Sequence, residues 1–133
     1  MEEYGKGVSL NNIIKEFQLE VLHMGETEVI ITTSDVNRPG LPLTGFTELY
    51  QPNRMQIIGR EEHAYLEGLD EETRRQNVEK FMSCKPICVI VSSSLEVHDV
   101  FYEFSQKYYV PLLRTAVPAV SSRKESIRYK VVR

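Results

Sequence analysis

The sequence feature that most constrains the fold is residues 87–92, a mainly apolar run without a charged residue. A strand that is apolar on both faces must be covered on both faces, as central strands of parallel sheets are. Residues 96–109 follow with apolar side chains at helical spacing, and residues 112–115 suit an edge strand because Pro111 precedes them. Strand, helix and strand in this order predict a right-handed βαβ unit. The fold class that follows is α/β.

Three further strands are predicted upstream of this unit. Residues 18–24 alternate between apolar and polar side chains, whereas residues 28–32 and 55–59 are short apolar runs. The turn between the first two strands permits a tight hairpin. The connector that follows the second strand, residues 32–46, is expected at one edge of the sheet.

The helices are predicted from capping residues and apolar spacing. Ser9 is expected to cap an amphipathic helix that begins at Leu10. Asp70 should cap a helix that runs to about Ser83 and buries Val78, Phe81 and Met82. Residues 61–69 should form a short helix. Its core side would carry Ala64, Tyr65 and Leu69, and its solvent side Glu61, Glu62 and Glu67.

The composition is that of an ordinary globular protein: of 133 residues, 41% are hydrophobic and 26% charged, and the net charge is -3. A weakly acidic chain has no general nucleic-acid footprint. Its longest apolar run falls far short of the roughly 20 residues that a membrane span needs. We therefore expect a single cytoplasmic domain over residues 1–133 that binds neither nucleic acid nor membranes.

Residues 32–46 are rich in residues with special backbone roles, which indicates an ordered loop. Asp35 and Asn37 can hydrogen-bond their own backbone, and Arg38 is the only cation of the stretch. Two roles are open for these three residues. Arg38 could bind a carboxylate or phosphate of a ligand or neighbouring protein, or it could hold carbonyls at a helix end while Asp35 caps a turn. The structural role is favoured.

Ser92, Ser93 and Ser94 stand where the buried strand gives way to a helix. Backbone amides and hydroxyls at such a junction can hold an anion, which makes Ser92 and Ser93 ligand candidates. The alternative is that the serines cap a helix that begins near Leu95. This alternative is favoured, because no glycine lets a phosphate approach closely.

Other residue types give no catalytic or metal-binding pattern. The phosphate-binding motif G-x-x-x-x-G-K-[ST] occurs nowhere in the chain. His23, His63 and His98 show no metal-ligand spacing and are expected at the surface. The two cysteines lack further cysteine or histidine neighbours, and Cys88 is expected to be a small buried thiol. We expect no catalytic residue, no metal and no cofactor in this chain.

The connector and the strand after it carry a family resemblance. Residues 34–41 (SDVNRPGL), 43–46 (LTGF) and 53–62 (NRMQIIGREE) resemble the amino-terminal domain of bacterial HPr kinase/phosphorylase. The similarity runs from about Ser9 to the end of the chain and includes residues 87–92 and 110–115. It implies a small three-layer α/β/α domain with a mostly parallel sheet, similar to the amino-terminal domains of Mur ligases.

The resemblance also implies a function for a longer parent protein. That enzyme would use ATP and magnesium to phosphorylate a serine of the phosphocarrier HPr, would remove the phosphate again, and would control carbon catabolite repression in the phosphotransferase system. Its catalytic half would lie outside this sequence, and residues 121–133, predicted as a charged helix, would begin the linker to it.

Within such an enzyme this chain would be a non-catalytic regulatory or assembly domain. Its partners would be the catalytic domain, copies of the same protein in a homo-oligomer and, indirectly, HPr. The alternative is a stand-alone sensor of the same fold that binds a nucleotide or a sugar phosphate.

Overall fold

The computed structural model describes residues 7–25, 28–33 and 35–118. These residues form seven strands: β1 (Val8–Ser9), β2 (Glu20–His23), β3 (Ile30–Ile31), β4 (Val36–Asn37), β5 (Met55–Ile58), β6 (Cys88–Val91) and β7 (Leu112–Arg114). The helices are α1 (Leu10–Phe17), α2 (Arg60–Glu67), α3 (Glu71–Ser83), α4 (Asp99–Tyr108) and a 3-10 helix (Pro42–Thr44). The predicted α/β class is confirmed. Residues 121–133 and the helix predicted there lie outside the described residues.

The main sheet has five strands and is parallel except at one edge. Its spatial order is β2-β7-β6-β5-β4. β4, β5, β6 and β7 run parallel to one another, whereas β2 pairs with β7 in the antiparallel direction. β6, α4 and β7 follow one another as the sequence predicts, and the two strands lie side by side in parallel. β7 is not the edge strand that Pro111 suggested, because β2 pairs along its other side. No helix in the described part of the chain combines the length and apolar character that a membrane crossing requires.

The first strands do not form the tight hairpin that the turn after residue 24 permits. β2 hydrogen-bonds to β7, and β3 pairs with β1 in a separate antiparallel ribbon. The connector after β3 also contains a strand that the sequence did not reveal, the edge strand β4 beside β5. Strands of two residues are too short to show a hydrophobic period, so only their pairing defines them.

The buried core lies on both faces of the sheet. Along β6, alternate side chains belong to two separate clusters, Val89 and Val91 to one and Cys88 and Ile90 to the other. Side chains alternate between the faces of a strand, so the two clusters cover opposite faces. The first cluster includes Phe81 of α3 and Phe101 of α4, whereas the second includes Leu10 of α1. β6 is therefore the buried central strand that the sequence predicts. The three-layer arrangement and the likeness to Mur ligases stay predictions.

Capping residues begin α1 and α3 where the sequence places them. The Ser9 hydroxyl accepts the backbone N–H of Asn11 at 3.2 Å, and Asp70 Oδ1 accepts the backbone N–H of Thr73 at 2.7 Å. Each bond satisfies a donor that the first turn of a helix leaves free. The stripe predicted for α3 is fully buried: Val78, Phe81 and Met82.

α2 turns a different side to the core than the sequence predicts. Glu62 and Leu66 are buried, whereas Ala64 and Tyr65 are exposed. The prediction placed every carboxylate of α2 in solvent, but Glu62 has internal partners that stabilise its charge. The position of Leu66, four residues after Glu62, follows from the helical period.

α4 begins later than predicted, at Asp99 rather than at residue 96. Ser93 and Ser94 take positive φ angles of 58° and 51°, which interrupts any helix near Leu95. The serines therefore do not cap α4, whose first flanking residue is His98. This shift places a histidine at the start of a helix, beside the carboxyl edge of the sheet.

Candidate functional site

The candidate site is the sheet edge at which the parallel strands β4 to β7 end. Arg38 follows β4 directly, α2 begins shortly after β5, and Ser92 follows β6. In open α/β sheets, ligands collect outside this carboxyl edge. Asn37, Arg38, Ser92 and Ser93 lie at or next to this edge, whereas Asp35 precedes β4 and lies at its amino end.

Arg38 forms a two-pronged ion pair with Glu62. Its Nη2 donates to Glu62 Oε1 at 2.9 Å, and its Nε lies 3.1 Å from Oε2. Glu62 is only 6% exposed, and its Oε1 also accepts the backbone N–H of Gly59 at 2.8 Å. A single buried carboxylate therefore joins the loop after β4 to the start of α2. This contact occupies the guanidinium fork within the chain itself.

Asn37 connects two strands through a second buried polar group. Its Nδ2 donates to Gln56 Oε1 at 3.0 Å, and Gln56 is fully buried. The amide nitrogen of Gln56 in turn donates to the backbone carbonyls of Gln51 and Arg54 at 3.1 and 2.7 Å. Both ends of the buried amide are therefore satisfied, as buried polar groups require. The Asn37 amide fastens β4 to β5.

Asp35 lies in a more exposed position at the opposite, amino end of β4. Its backbone N–H donates to the Thr33 hydroxyl at 3.2 Å, and its carboxylate lies 3.6 Å from Arg54 Nη2. Both side chains of this ion pair are about one-third exposed or more, so the pair adds little stability. Asp35, Asn37 and Arg38 thus act on three different partners.

The loop that follows Arg38 is anchored at its centre. Leu43 is fully buried, and the Thr44 hydroxyl donates to the Leu41 carbonyl at 2.6 Å. Gly45 ends the 3-10 helix with a φ of 100°, a conformation that disfavours other residues. On either side of this anchor, the large apolar side chains of Leu41, Phe46 and Leu49 are 57%, 41% and 77% exposed.

The serines after β6 are engaged by the backbone. The buried Ser92 hydroxyl donates to the Ile58 carbonyl at 2.9 Å, which ties β6 to the end of β5. The backbone N–H groups of Ser93 and Ser94 donate to the carbonyls of Val117 and Thr115. An anion at Ser92 and Ser93 would have to displace these bonds. Their contacts fit a role in joining β6 to the segment after β7.

The structure brings together two histidines that the sequence analysis kept apart. His63 of α2 and His98 at the start of α4 stack with ring centroids 4.8 Å apart. His98 Nε2 lies 3.1 Å from Glu67 Oε2, and His63 Nε2 lies 2.9 Å from the Glu96 carbonyl. Only 11% of the His98 side chain is exposed, so the expectation of a surface histidine is wrong for this residue.

The surroundings of His98 favour its neutral form. Burial and the neighbouring His63 hold the pKa of His98 below its ordinary value, against the opposing effect of the Glu67 carboxylate. A neutral imidazole keeps one nitrogen lone pair available for a proton or a metal ion.

Sequence reasoning missed Glu62, Gln56 and the group of His63, Glu67 and His98. Part of the group was visible, because His63 and Glu67 stand four residues apart and therefore share one side of a helix. Glu62 was also visible as the third helical residue after Gly59, a position from which a carboxylate can reach back to a free N–H. The approach of His98 depends on tertiary packing and has no local signal.

Comparison with known proteins gives this arrangement a family. A family model described as the HPr serine kinase N terminus matches residues 8–129. HPr kinase/phosphorylase of Clostridium perfringens (strain 13 / Type A) is 39% identical over 109 residues, which cover 82% of this chain and 36% of that protein. The same enzyme of Clostridium botulinum (strain Eklund 17B / Type B) is 40% identical over 108 residues, or 81% of this chain and 36% of the relative.

A relative outside the genus Clostridium matches in the same way. HPr kinase/phosphorylase of Alkaliphilus metalliredigens (strain QYMF) is 38% identical over 111 residues, which cover 83% of this chain and 36% of the relative. The chain thus spans little more than a third of the length of the curated relatives that it matches. The family match covers the described sheet, its helices and the candidate edge. The chain belongs to the HPr serine kinase amino-terminal family.

Proposed function

We propose that this chain is a non-catalytic regulatory or assembly domain of an HPr kinase/phosphorylase. The observation that carries the proposal is the family match over residues 8–129, in relatives whose length is nearly three times the matched region. The parent enzyme would phosphorylate and dephosphorylate a serine of HPr in the cytoplasm and would take part in carbon catabolite repression. The catalytic half would hold its ATP and magnesium.

The chemistry of the candidate edge supports a role without catalysis. Phosphoryl transfer depends on cations and backbone amides that surround the transferred group. At this edge, Arg38 contacts a buried carboxylate, and at the amino end of the same strands Arg54 contacts Asp35. The 133-residue sequence also lacks the phosphate-binding loop motif. These contacts suit a fixed scaffold better than a phosphate cradle.

The loop after Arg38 supplies a contact surface for the proposed partner. Leu41, Phe46 and Leu49 are exposed, while Leu43 holds the loop backbone in the core. A fixed loop loses little freedom on docking, and exposed large apolar side chains are typical of contact sites. We take the catalytic half of the same protein as the occupant, because the matched relatives extend far beyond this region. The complete protein would assemble further into a homo-oligomer.

Hydrogen exchange tests this docking. Backbone exchange is compared between the 133-residue chain and the full-length enzyme that contains it. We expect slower exchange across residues 41–50 in the full-length enzyme, since docking covers the loop. β6 is the internal control and should exchange equally slowly in both, because its residues are already buried. Identical exchange of residues 41–50 in the two proteins would reject this surface.

The alternative of a stand-alone sensor lacks comparable support. Within residues 7–25, 28–33 and 35–118, the anion candidates Ser92 and Ser93 donate their backbone N–H groups to the carbonyls of Ile58 and Val117. No contact of these residues favours a nucleotide or a sugar phosphate over the proposed assembly role.

A further inference from the structure

The group of His63, Glu67 and His98 has no part in the proposed docking, and its geometry suits a metal ion. One ligand atom from each residue can be chosen so that all three lie within 4.8 Å of one another. Neighbouring ligands of a tetrahedral zinc ion, at bonds of about 2.0–2.1 Å, lie about 3.4 Å apart. The 3.1 Å between His98 Nε2 and Glu67 Oε2 is close to that value. His63, the third ligand, must come closer to the other two. The exposed side chain of Glu67, on the same helix as His63, can take up part of this movement.

The neighbouring backbone prepares His63 for this role. His63 Nε2 lies 2.9 Å from the carbonyl oxygen of Glu96. A carbonyl only accepts hydrogen bonds, so Nε2 carries the proton and Nδ1 keeps the lone pair. Histidines that bind metals usually donate their other N–H to a carbonyl or carboxylate in this way, which fixes the tautomer and the ring orientation.

The charge around the group favours a cation. The depression that contains His98 is lined by four carboxylates, those of Glu67, Glu71, Glu96 and Asp99, and by one guanidinium, that of Arg74. Arg74 donates to the carbonyls of Leu66 and Leu69 at 2.8 and 3.0 Å, so its charge is partly engaged at the end of α2. The remaining positive charge of Arg74 lowers the affinity for a metal ion, but the net charge of the groups that line the depression stays negative.

We propose that His63, Glu67 and His98 bind a divalent transition-metal ion of the zinc class and thereby join α2 to the start of α4. Two imidazoles and one carboxylate form a ligand set that zinc accepts, with the fourth position left to water. Nickel and copper bind the same ligands with equal or greater strength, whereas magnesium prefers oxygen ligands alone. The site therefore discriminates against magnesium.

Titration of the tag-free 133-residue chain with zinc alone tests this inference, with magnesium as the comparison ion. We expect one equivalent of zinc to bind in the micromolar range and to raise the thermal midpoint, because an ion that binds only the folded state stabilises it. Cobalt, used as a spectroscopic substitute, should give the visible absorption of a low-symmetry site with nitrogen ligands.

Two ligand substitutions and one control substitution test the site. His98→Gln and Glu67→Gln should each weaken zinc binding by about tenfold or more. Glu67 is exposed, so Glu67→Gln keeps the test valid even if His98→Gln impairs folding. His23→Gln is the matched control, since His23 lies in β2 and contacts the Val110 carbonyl. Unchanged binding in both ligand variants, or no saturable binding in the micromolar range, would overturn the inference.

Discussion

The single carboxylate of Glu62 accepts hydrogen bonds from two parts of the chain. The donors are the backbone N–H of Gly59 and the guanidinium of Arg38. At 6% exposure, this carboxylate has lost most of its hydration. A buried charge that loses its partner is costly, whereas an exposed ion pair contributes little. Arg38 and Arg54 should therefore differ in their importance for stability.

Arg38→Ala should lower the free energy of unfolding by about 3 kcal/mol, because it leaves the Glu62 carboxylate buried without its cation. Arg54→Ala, at the exposed pair with Asp35, is the matched control and should cost less than about 1 kcal/mol. Urea unfolding of both variants measures the difference. An unchanged midpoint for Arg38→Ala, combined with lost affinity for the catalytic half, would instead make Arg38 a contact residue.

The coupling between Arg38 and Glu62 can be measured separately. In a double-mutant cycle with Glu62→Gln, the two losses should not add, since each variant breaks the same contact. Additive losses would show that the ion pair is not what holds the loop.

The two thiols of the chain should react very differently. Burial raises the pKa of the Cys88 thiol to about 12, whereas Cys84 is half-buried at the end of α3. Because the thiolate is the reactive form, a thiol reagent at mildly alkaline pH should label Cys84 and leave Cys88 unmodified until the protein unfolds. Peptide mapping with and without urea locates the label. Rapid labelling of Cys88 in the folded chain would contradict the burial of β6.

At the scale of whole elements, sequence patterns predicted the features that depend on residues close together in the chain, namely helix caps and helical stripes. Ser9 and Asp70 cap helices where the sequence placed them, and the α3 stripe is buried as its period predicts. The prediction of which side of α2 is buried was wrong, because Glu62 is stabilised by Arg38, which comes from a distant part of the chain. The contact of His63 with His98 likewise needs β5 and β6 to lie side by side, which no local pattern states.

The cap of α3 should make stability depend on pH. The Thr73 N–H bond lowers the pKa of Asp70 below its ordinary value of 3.8. A lowered carboxylate pKa gives stability that is present above the unfolded-state pKa and is lost as the pH falls through the folded-state pKa. Asp70→Ala should therefore lower the thermal midpoint clearly near neutral pH, and by much less once the pH has fallen through the lowered pKa of the carboxyl group.

Thermal melts of both proteins across this range provide the measurement. Glu71→Ala, one residue further along and exposed, is the control and should show a smaller and flatter difference. A gap between wild type and Asp70→Ala that stays constant down to the lowest pH would exclude a charged cap.

At the scale of the whole molecule, we propose scaffold and contact roles for this chain and catalysis by the rest of a longer enzyme. Family membership was predictable, because residues 34–46 and 53–62 carry a long continuous motif. The parallel core was predictable from the apolar run at β6. The edge strand β4 and the β1–β3 ribbon were not, since strands of two residues are defined only by their pairing.

Transfer of labelled phosphate from ATP to HPr, in the presence of magnesium, shows whether the chain is non-catalytic by itself. The purified 133-residue chain is compared with the full-length enzyme and with the catalytic half alone. We expect no transfer by the chain, and transfer by both proteins that contain the catalytic half. Stoichiometric transfer by the chain alone that survives repurification would contradict a non-catalytic role.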